Sequence, residues 1–96
     1  MKYRSRTDII SMILQASMNG ATKTRLMYSA FLSYAQVQEY LGFLTGKGLL
    51  IFEELSGKYK LTEQGLHFLR VYEEISGVVS LDGSKASERI TPGLLG

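Results

Sequence analysis

The sequence predicts a single α+β domain that is mainly helical. Its 96 residues are 45% hydrophobic and 21% charged, a composition typical of one small globular core. Hydrophobic residues recur at helical spacing over residues 8–45 and again from residue 63. Between these regions the period changes to two on either side of Ser56-Gly57, which indicates a β-hairpin. The expected order is therefore three helices, a hairpin and a last helix.

The first two helices are predicted from their hydrophobic spacing and capping residues. The first helix is expected over residues 8–18, capped by Thr7 and ended by Asn19-Gly20. Thr22 is the expected cap of a short second helix over residues 23–29, in which Leu26 is apolar.

The third helix is predicted over residues 34–45 with Ser33 as its cap. Val37, Leu41 and Leu44 lie at helical spacing and should face the core. The opposite flank of this helix should then face water, and it carries no Arg or Lys.

The hairpin is predicted to turn at Ser56-Gly57 as a two-residue loop. Its expected cross-strand pairs are Leu55 with Lys58, Glu54 with Tyr59, Glu53 with Lys60, and Phe52 with Leu61. In this register Phe52, Tyr59 and Leu61 face the core.

The last helix is predicted over residues 63–76, and more of its faces are apolar than one core requires. Leu66 and Leu69 can complete the domain's own core. A second stripe is left for a dimer interface, formed by Phe68, Tyr72, Ile75 and Val79. The alternative cover is the chain's own segment beyond residue 77. Residues 1–76 are thus expected to form the domain with its C-terminal dimerisation helix, and residues 77–96, which hold the only proline, a flexible tail.

Charge and residue types favour a binding protein over an enzyme. The net charge is only +2, but residues 1–30 contain five cations and one acid, a local balance of +4. A basic first part attracts polyanions if its cations share a face. The chain has no cysteine and one histidine, so thiolate chemistry is excluded and no nucleophile, base and orienting group can be assembled. No cofactor, metal site, small-molecule substrate or membrane span is expected.

This element order is that of a winged helix-turn-helix, in which the third helix enters a DNA major groove and the hairpin is the wing. The polar flank of the third helix and the nearby cations are the expected contacts with double-stranded DNA. These residues are Arg4, Arg6, Thr22, Lys23, Arg25, Ser33, Tyr34, Gln36, Gln38, Lys58 and Lys60. Because the third helix lacks Arg and Lys, sequence preference should be weak, and affinity should come from phosphate contacts.

Two motifs add a family resemblance: Thr-Lys-Thr-Arg at residues 22–25 and Leu-Ser-Tyr-Ala at residues 32–35. Together with Tyr40-Leu41 and Tyr59-Lys60-Leu61-Thr62, they resemble the archaeal winged-helix DNA-binding proteins of the Sso-ten-a type. The resemblance implies dimeric binding of double-stranded DNA, with an antiparallel coiled coil of the last helices. The last helix predicted here is shorter than that family's.

Two functions from different classes follow from the sequence. The first is a double-stranded DNA-binding homodimer with low sequence specificity, a transcriptional regulator or chromatin-associated protein in the cytoplasm and nucleoid. The second is a protein-interaction winged helix of a transcription or replication assembly that does not bind DNA. The second is motivated by Glu39 and an exposed Phe43 on the third helix. The six tyrosines include Tyr28, Tyr40 and Tyr59, which are expected to pack in or near the core. The alternative is that they are stacking platforms for single-stranded nucleic acid.

Overall fold

Four helices and a two-stranded hairpin make up the part of the chain, residues 4–80, that the computed structural model describes. In chain order they are α1 (Arg6–Ala16), α2 (Lys23–Ser29), α3 (Tyr34–Gly46), β1 (Leu50–Glu53), β2 (Lys58–Leu61) and α4 (Glu63–Ser80). The predicted α+β, mainly helical order is confirmed. None of the helices within this range is both long enough and apolar enough to cross a membrane.

Helix α1 begins two residues earlier than predicted because Ser5, not Thr7, is its cap. The Ser5 hydroxyl accepts a hydrogen bond from the Asp8 N–H at 3.0 Å, and the Asp8 carboxylate accepts one from the Ser5 N–H at 3.0 Å. This reciprocal capping box satisfies two backbone donors of the first turn. Helices α2 and α3 begin at the predicted residues, capped by Thr22 and Ser33.

The core lies between the first three helices, β1 and α4. The predicted inward stripe of α3 is confirmed, since Val37, Leu41 and Leu44 are all buried. The other buried apolar side chains are Ile10, Ile13, Leu14, Ala21, Leu26, Ala30, Leu32, Tyr40, Leu50 and Leu69. Packing of α3 on this core fixes which of its flanks faces water.

The register of the hairpin differs from the predicted one by two residues. The observed pairs are Leu50 with Leu61, Ile51 with Lys60, Phe52 with Tyr59, and Glu53 with Lys58. The two-residue turn was therefore wrong: residues 54–57 form the loop, and the Gly57 N–H donates to the Glu53 carbonyl at 2.8 Å. Gly57 has φ +70°, a conformation that glycine adopts without a steric penalty.

A shift of two residues keeps every side chain on its predicted face of the hairpin. Leu50, Tyr59 and Leu61 pack on the core as their positions require. Phe52 was also expected in the core but is exposed, since it lies two residues nearer the loop than Leu50, the last residue of β1 in the buried cluster when the strand is followed toward the loop. Its ring lies instead against Tyr59, with ring centroids 4.8 Å apart.

The hairpin is fixed to the loop between α1 and α2 by backbone pairing that the sequence did not predict. Ala21 and Tyr59 exchange two hydrogen bonds, of 3.0 and 2.8 Å. Because Ala21 immediately precedes the cap of α2, this bridge sets the position of the hairpin relative to the start of that helix.

Helix α4 runs through Gly77 to Ser80, four residues beyond its predicted end. A glycine inside a helix costs only about 1 kcal/mol relative to alanine and need not end it. Leu69 is buried against the core, and the Tyr72 hydroxyl donates to the Asp8 carboxylate at 2.5 Å, which joins α4 to α1. Residues 81–96, and with them most of the predicted tail, lie outside the described residues.

Candidate nucleic-acid interface

The outer flank of α3 is the centre of the candidate interface. Tyr34, Gln36 and Gln38 are exposed, as the sequence predicted. Directly opposite the core lie Ala35 and Glu39, two exposed residues one helical turn apart. The only acidic side chain of α3 thus points away from the core near the middle of the helix.

Ser33 and Gln36, both predicted to contact DNA, form the N-terminal capping box of α3. The Ser33 hydroxyl accepts from the Gln36 N–H at 3.2 Å, and the Gln36 side-chain oxygen accepts from the Ser33 N–H at 2.9 Å. The side-chain oxygen of Gln36 is therefore occupied by the cap, whereas its NH₂ group has no hydrogen-bond partner within residues 4–80 and can donate to DNA.

Lys23 joins the start of α2 to the first turns of α3. Its ammonium group donates to the Gln38 side-chain oxygen and to the Tyr34 hydroxyl, the latter at 3.4 Å. It also lies 5.1 Å from the centroid of the Tyr34 ring. The structure thus brings together three predicted site residues from two helices.

Arg25 lies two residues further along α2 and is exposed. Thr22, the cap of this helix, accepts a hydrogen bond from the Arg25 backbone N–H at 3.2 Å. The Arg25 guanidinium has no hydrogen-bond or ion-pair partner in the described part of the chain, so its full charge is available to an anion.

The two N-terminal arginines have different surroundings. The Arg4 guanidinium is half-buried and donates to the carbonyls of Ala30 at 2.6 Å and Phe31 at 3.3 Å, at the turn between α2 and α3. Arg4, predicted to contact DNA, thus holds the N-terminal segment against this turn. Arg6 is exposed and lies over the rings of Tyr40 and Phe43, 5.0 and 5.5 Å from their centroids.

Lys47 is a candidate that the sequence analysis missed. It caps the C-terminal end of α3, is exposed, and lies 5.8 Å from the centroid of the Phe43 ring. With Arg6 it forms a second group of cations along α3, on the flank away from Lys23. Phe43 is exposed as predicted, but it is accompanied by these two cations.

The lysines of the hairpin lie over the loop that leads into α2. A Cβ atom on Gly20 would be 3.5 Å from both the Lys58 and Lys60 side chains. Lys60 forms an ion pair with Glu53 at 3.3 Å, and the pKa of Glu53 is lowered, first by its hydrogen bond from the Ser56 hydroxyl and then by Lys60. Lys58 forms no ion pair with a carboxylate among residues 4–80, and its charge lowers the pKa of Glu53 less than Lys60 does, so it is the stronger phosphate candidate.

The tyrosines do not all pack as predicted. Tyr40 is buried and Tyr59 is half-buried, in agreement with the sequence analysis. Tyr28 was also expected near the core, but it is exposed because it lies on the outer side of α2, away from Leu26.

The comparisons with known proteins identify the family. A family model described as winged helix-turn-helix matches residues 3–80. The chain belongs to the winged helix-turn-helix family. A similar solved structure is the crystal structure of Sso10a-2, a DNA-binding protein from Sulfolobus solfataricus, with 26% sequence identity and a TM-score of 0.73. The match covers 95% of this chain and 97% of the Sso10a-2 chain. No curated protein matches the sequence.

As a winged helix-turn-helix protein, the chain has α2 and α3 as its helix-turn-helix and the β1–β2 hairpin as its wing. The predicted resemblance to proteins of the Sso-ten-a type is confirmed. Within residues 4–80, no three metal-ligating side chains lie close enough together to hold an ion.

Proposed function

We propose that this protein binds double-stranded DNA through α3, the start of α2 and the wing, with little sequence preference. The observation that carries the proposal is the exposed flank of α3 with Lys23 fixed against it and Arg25 unpartnered beside it. The similarity to Sso10a-2, a DNA-binding protein, supports it.

The geometry suits phosphate contacts better than base reading. In a winged helix-turn-helix, the N-terminal part of α3 enters the major groove while the wing contacts neighbouring backbone. Arg is the side chain most often used to read guanine, and α3 has none. The side-chain oxygens of Gln36 and Gln38 are both engaged within the protein. Affinity therefore comes mainly from cations that displace counterions from phosphates.

The test is a charge reversal with a matched control. Arg25→Glu places a carboxylate at the interface, whereas Arg70→Glu makes the same change at an exposed position of α4. Fluorescence anisotropy with a labelled duplex should show that Arg25→Glu weakens binding at least tenfold and that Arg70→Glu has only a small effect. The double variant Lys23→Glu/Arg25→Glu should abolish binding. Equal effects of the two single reversals would contradict the proposed interface.

The protein is further proposed to be a homodimer joined through α4. Of the predicted interface residues, Ile75 is 59% exposed, while Phe68 is half-buried against the core and Tyr72 is bonded to Asp8. Val71, 39% exposed and one turn before Ile75, continues the apolar stripe. The proposed interface is therefore centred on Val71 and Ile75; the side chain of Val79 is not described.

Analytical ultracentrifugation tests the dimer. Ile75→Glu should shift the protein to the monomer, because the change places a charge at the centre of an apolar contact. Leu55→Glu, at a fully exposed wing position, is the control and should leave the dimer unchanged. A wild-type monomer at all concentrations tested would contradict the dimer and leave DNA binding as a separate question.

With two DNA-binding surfaces per dimer and weak sequence preference, the proposed role is that of a chromatin-associated protein or a transcriptional regulator in the cytoplasm and nucleoid. Duplexes of unrelated sequence should bind with similar affinity if the chromatin role is correct, whereas a regulator would prefer particular sites by a large factor.

A further inference from the structure

Three large aromatic side chains surround the turn of the helix-turn-helix and are directed to solvent. Tyr28, in the last turn of α2, is 70% exposed; Phe31, in the turn, is 75% exposed; and Tyr34, the first residue of α3, is 60% exposed. These residues are here named the aromatic cluster. Contacts with duplex phosphates do not require three exposed aromatic rings within seven residues. Phe31 in particular has no polar group with which to bind a phosphate.

Phe31 is the most informative member of the cluster. Its φ of +55° makes it the only residue other than glycine with a positive φ among residues 4–80. A side chain with a Cβ atom is disfavoured in this conformation, which glycine adopts readily. The turn itself requires the conformation, because α2 ends in a Schellman motif: the Leu32 N–H donates to the Met27 carbonyl at 2.9 Å and the Phe31 N–H to the Tyr28 carbonyl at 3.2 Å, which places Phe31 in the left-handed position. The phenyl ring, however, is not buried in return, so the fold does not explain why phenylalanine occupies this position.

The aromatic cluster is accompanied by positive charge. The Arg4 guanidinium lies 5.9 Å from the centroid of the Phe31 ring and is held there by hydrogen bonds to backbone carbonyls. Lys23 lies over Tyr34 in the same way. Arg25 precedes Tyr28 by three residues and so lies beside it on the surface of α2. No acidic residue occurs in the sequence between Asp8 and Glu39.

Exposed aromatic rings with interspersed cations and no carboxylates are suited to single-stranded nucleic acid. Unpaired bases stack on aromatic faces while cations hold the phosphates, and the stacking tolerates any base. A duplex cannot use the rings in this way, because its bases are already stacked on each other. We propose that the aromatic cluster binds single-stranded DNA by stacking unpaired bases on Phe31 and its neighbouring tyrosines, a function beyond the proposed binding of duplexes.

Phe31→Gly separates this binding from folding. Glycine suits the positive φ, so the variant should unfold at the same or a higher urea concentration than the wild type. Fluorescence anisotropy should show that its affinity for a dodecamer of thymidylate falls about tenfold, the loss of one stacked base, with duplex affinity within twofold of the wild type. Met18→Ala removes an exposed apolar side chain from the loop after α1 and should change neither the single-strand nor the duplex affinity.

Tyrosine fluorescence reports the stacking directly, since the chain has no tryptophan. Unlabelled thymidylate dodecamer should quench the wild-type emission, and the quenching should fall in Tyr28→Leu and in Tyr34→Leu. The proposal is overturned if Phe31→Gly leaves single-strand affinity within twofold, or if it weakens single-strand and duplex binding equally. The duplex-binding proposal is tested by Arg25→Glu with a duplex, and the single-strand proposal by Phe31→Gly with the thymidylate dodecamer. Failure of one proposal can therefore be recognised independently of the other.

Discussion

Replacement of Gly65 by alanine should destabilise the protein, although the same change usually stabilises a helix. Gly65 is buried in the first turn of α4, and a Cβ atom there would lie 2.2 Å from the Leu49 carbonyl oxygen and 2.7 Å from a methyl carbon of Leu61. An ordinary contact needs well over 3 Å, so the backbone of residue 49 must move by about 1 Å. Overpacking of this kind typically costs about 1–3 kcal/mol.

The matched control is Gly42→Ala in α3, where nothing lies within 4 Å of the new Cβ atom. There alanine should stabilise the protein by roughly 0.5–1 kcal/mol through its helix propensity. Because the same gain offsets part of the overpacking cost of Gly65→Ala, its net loss should be up to about 2.5 kcal/mol, or a decrease of up to roughly 20 °C in Tm for a domain of this size.

Urea denaturation followed by circular dichroism, at one fixed protein concentration, measures both changes. The expected result is opposite signs, with Gly65→Ala less stable and Gly42→Ala more stable than the wild type. A Gly65→Ala variant as stable as Gly42→Ala would refute the close approach of α4 to the segment before β1, and with it the described placement of the wing.

Three further predictions concern the core, the link between α1 and α4, and the charge of α3. Leu44→Ala should cost about 2–5 kcal/mol in the same denaturation experiment, because Leu44 is fully buried; a loss below about 1 kcal/mol would mean that α3 is wrongly oriented. The hydrogen bond from Tyr72 is the largest cause of the lowered pKa of Asp8, so Tyr72→Phe should destabilise the protein near pH 7. Because the pKa of Asp8 is lower in the folded state, its ionisation stabilises the fold fully above the unfolded value near 4, and this stability is lost as the pH falls through the lowered folded-state pKa. The difference in free energy of unfolding between the wild type and Tyr72→Phe should therefore shrink in acid; a constant difference would contradict this role. Glu39→Gln should raise duplex affinity several-fold, because it removes a carboxylate that repels phosphates. The control Glu74→Gln on α4 should leave the affinity unchanged. If anisotropy shows no gain for Glu39→Gln, Glu39 does not face the DNA.

Much of the fold could be predicted because its signals are local. The caps Thr22 and Ser33 and the periodicity of Val37, Leu41 and Leu44 fixed α2 and the orientation of α3. The register of the wing could not be predicted from the sequence. Ser56-Gly57 is compatible both with a two-residue turn formed by these residues alone and with the observed four-residue loop over residues 54–57, which ends in them. Helix α4 continued through Gly77 because one glycine is a weak helix terminator.

The candidate site was less predictable because it depends on contacts between residues distant in the sequence. Lys23 and Gln38 are 15 residues apart, and their pairing follows from the crossing of α2 and α3. Arg4 reaches the carbonyl of Ala30 because α1, which follows it in the chain, packs against α2, and nothing in the sequence near Arg4 indicated this contact. A cation at the end of α3 is a local signal, so Lys47 could have been included.

The salt dependence of duplex binding tests the central claim most directly. If Arg6, Lys23, Arg25 and Lys58 each neutralise one phosphate, log affinity should fall against log salt with a slope of about −3.6 per protomer. This corresponds to a loss of roughly a hundredfold between about 50 and 200 mM salt, equal within threefold for two duplexes of unrelated sequence. Affinity that does not change with salt, or no binding at the lower concentration, would contradict the assignment of this surface to DNA.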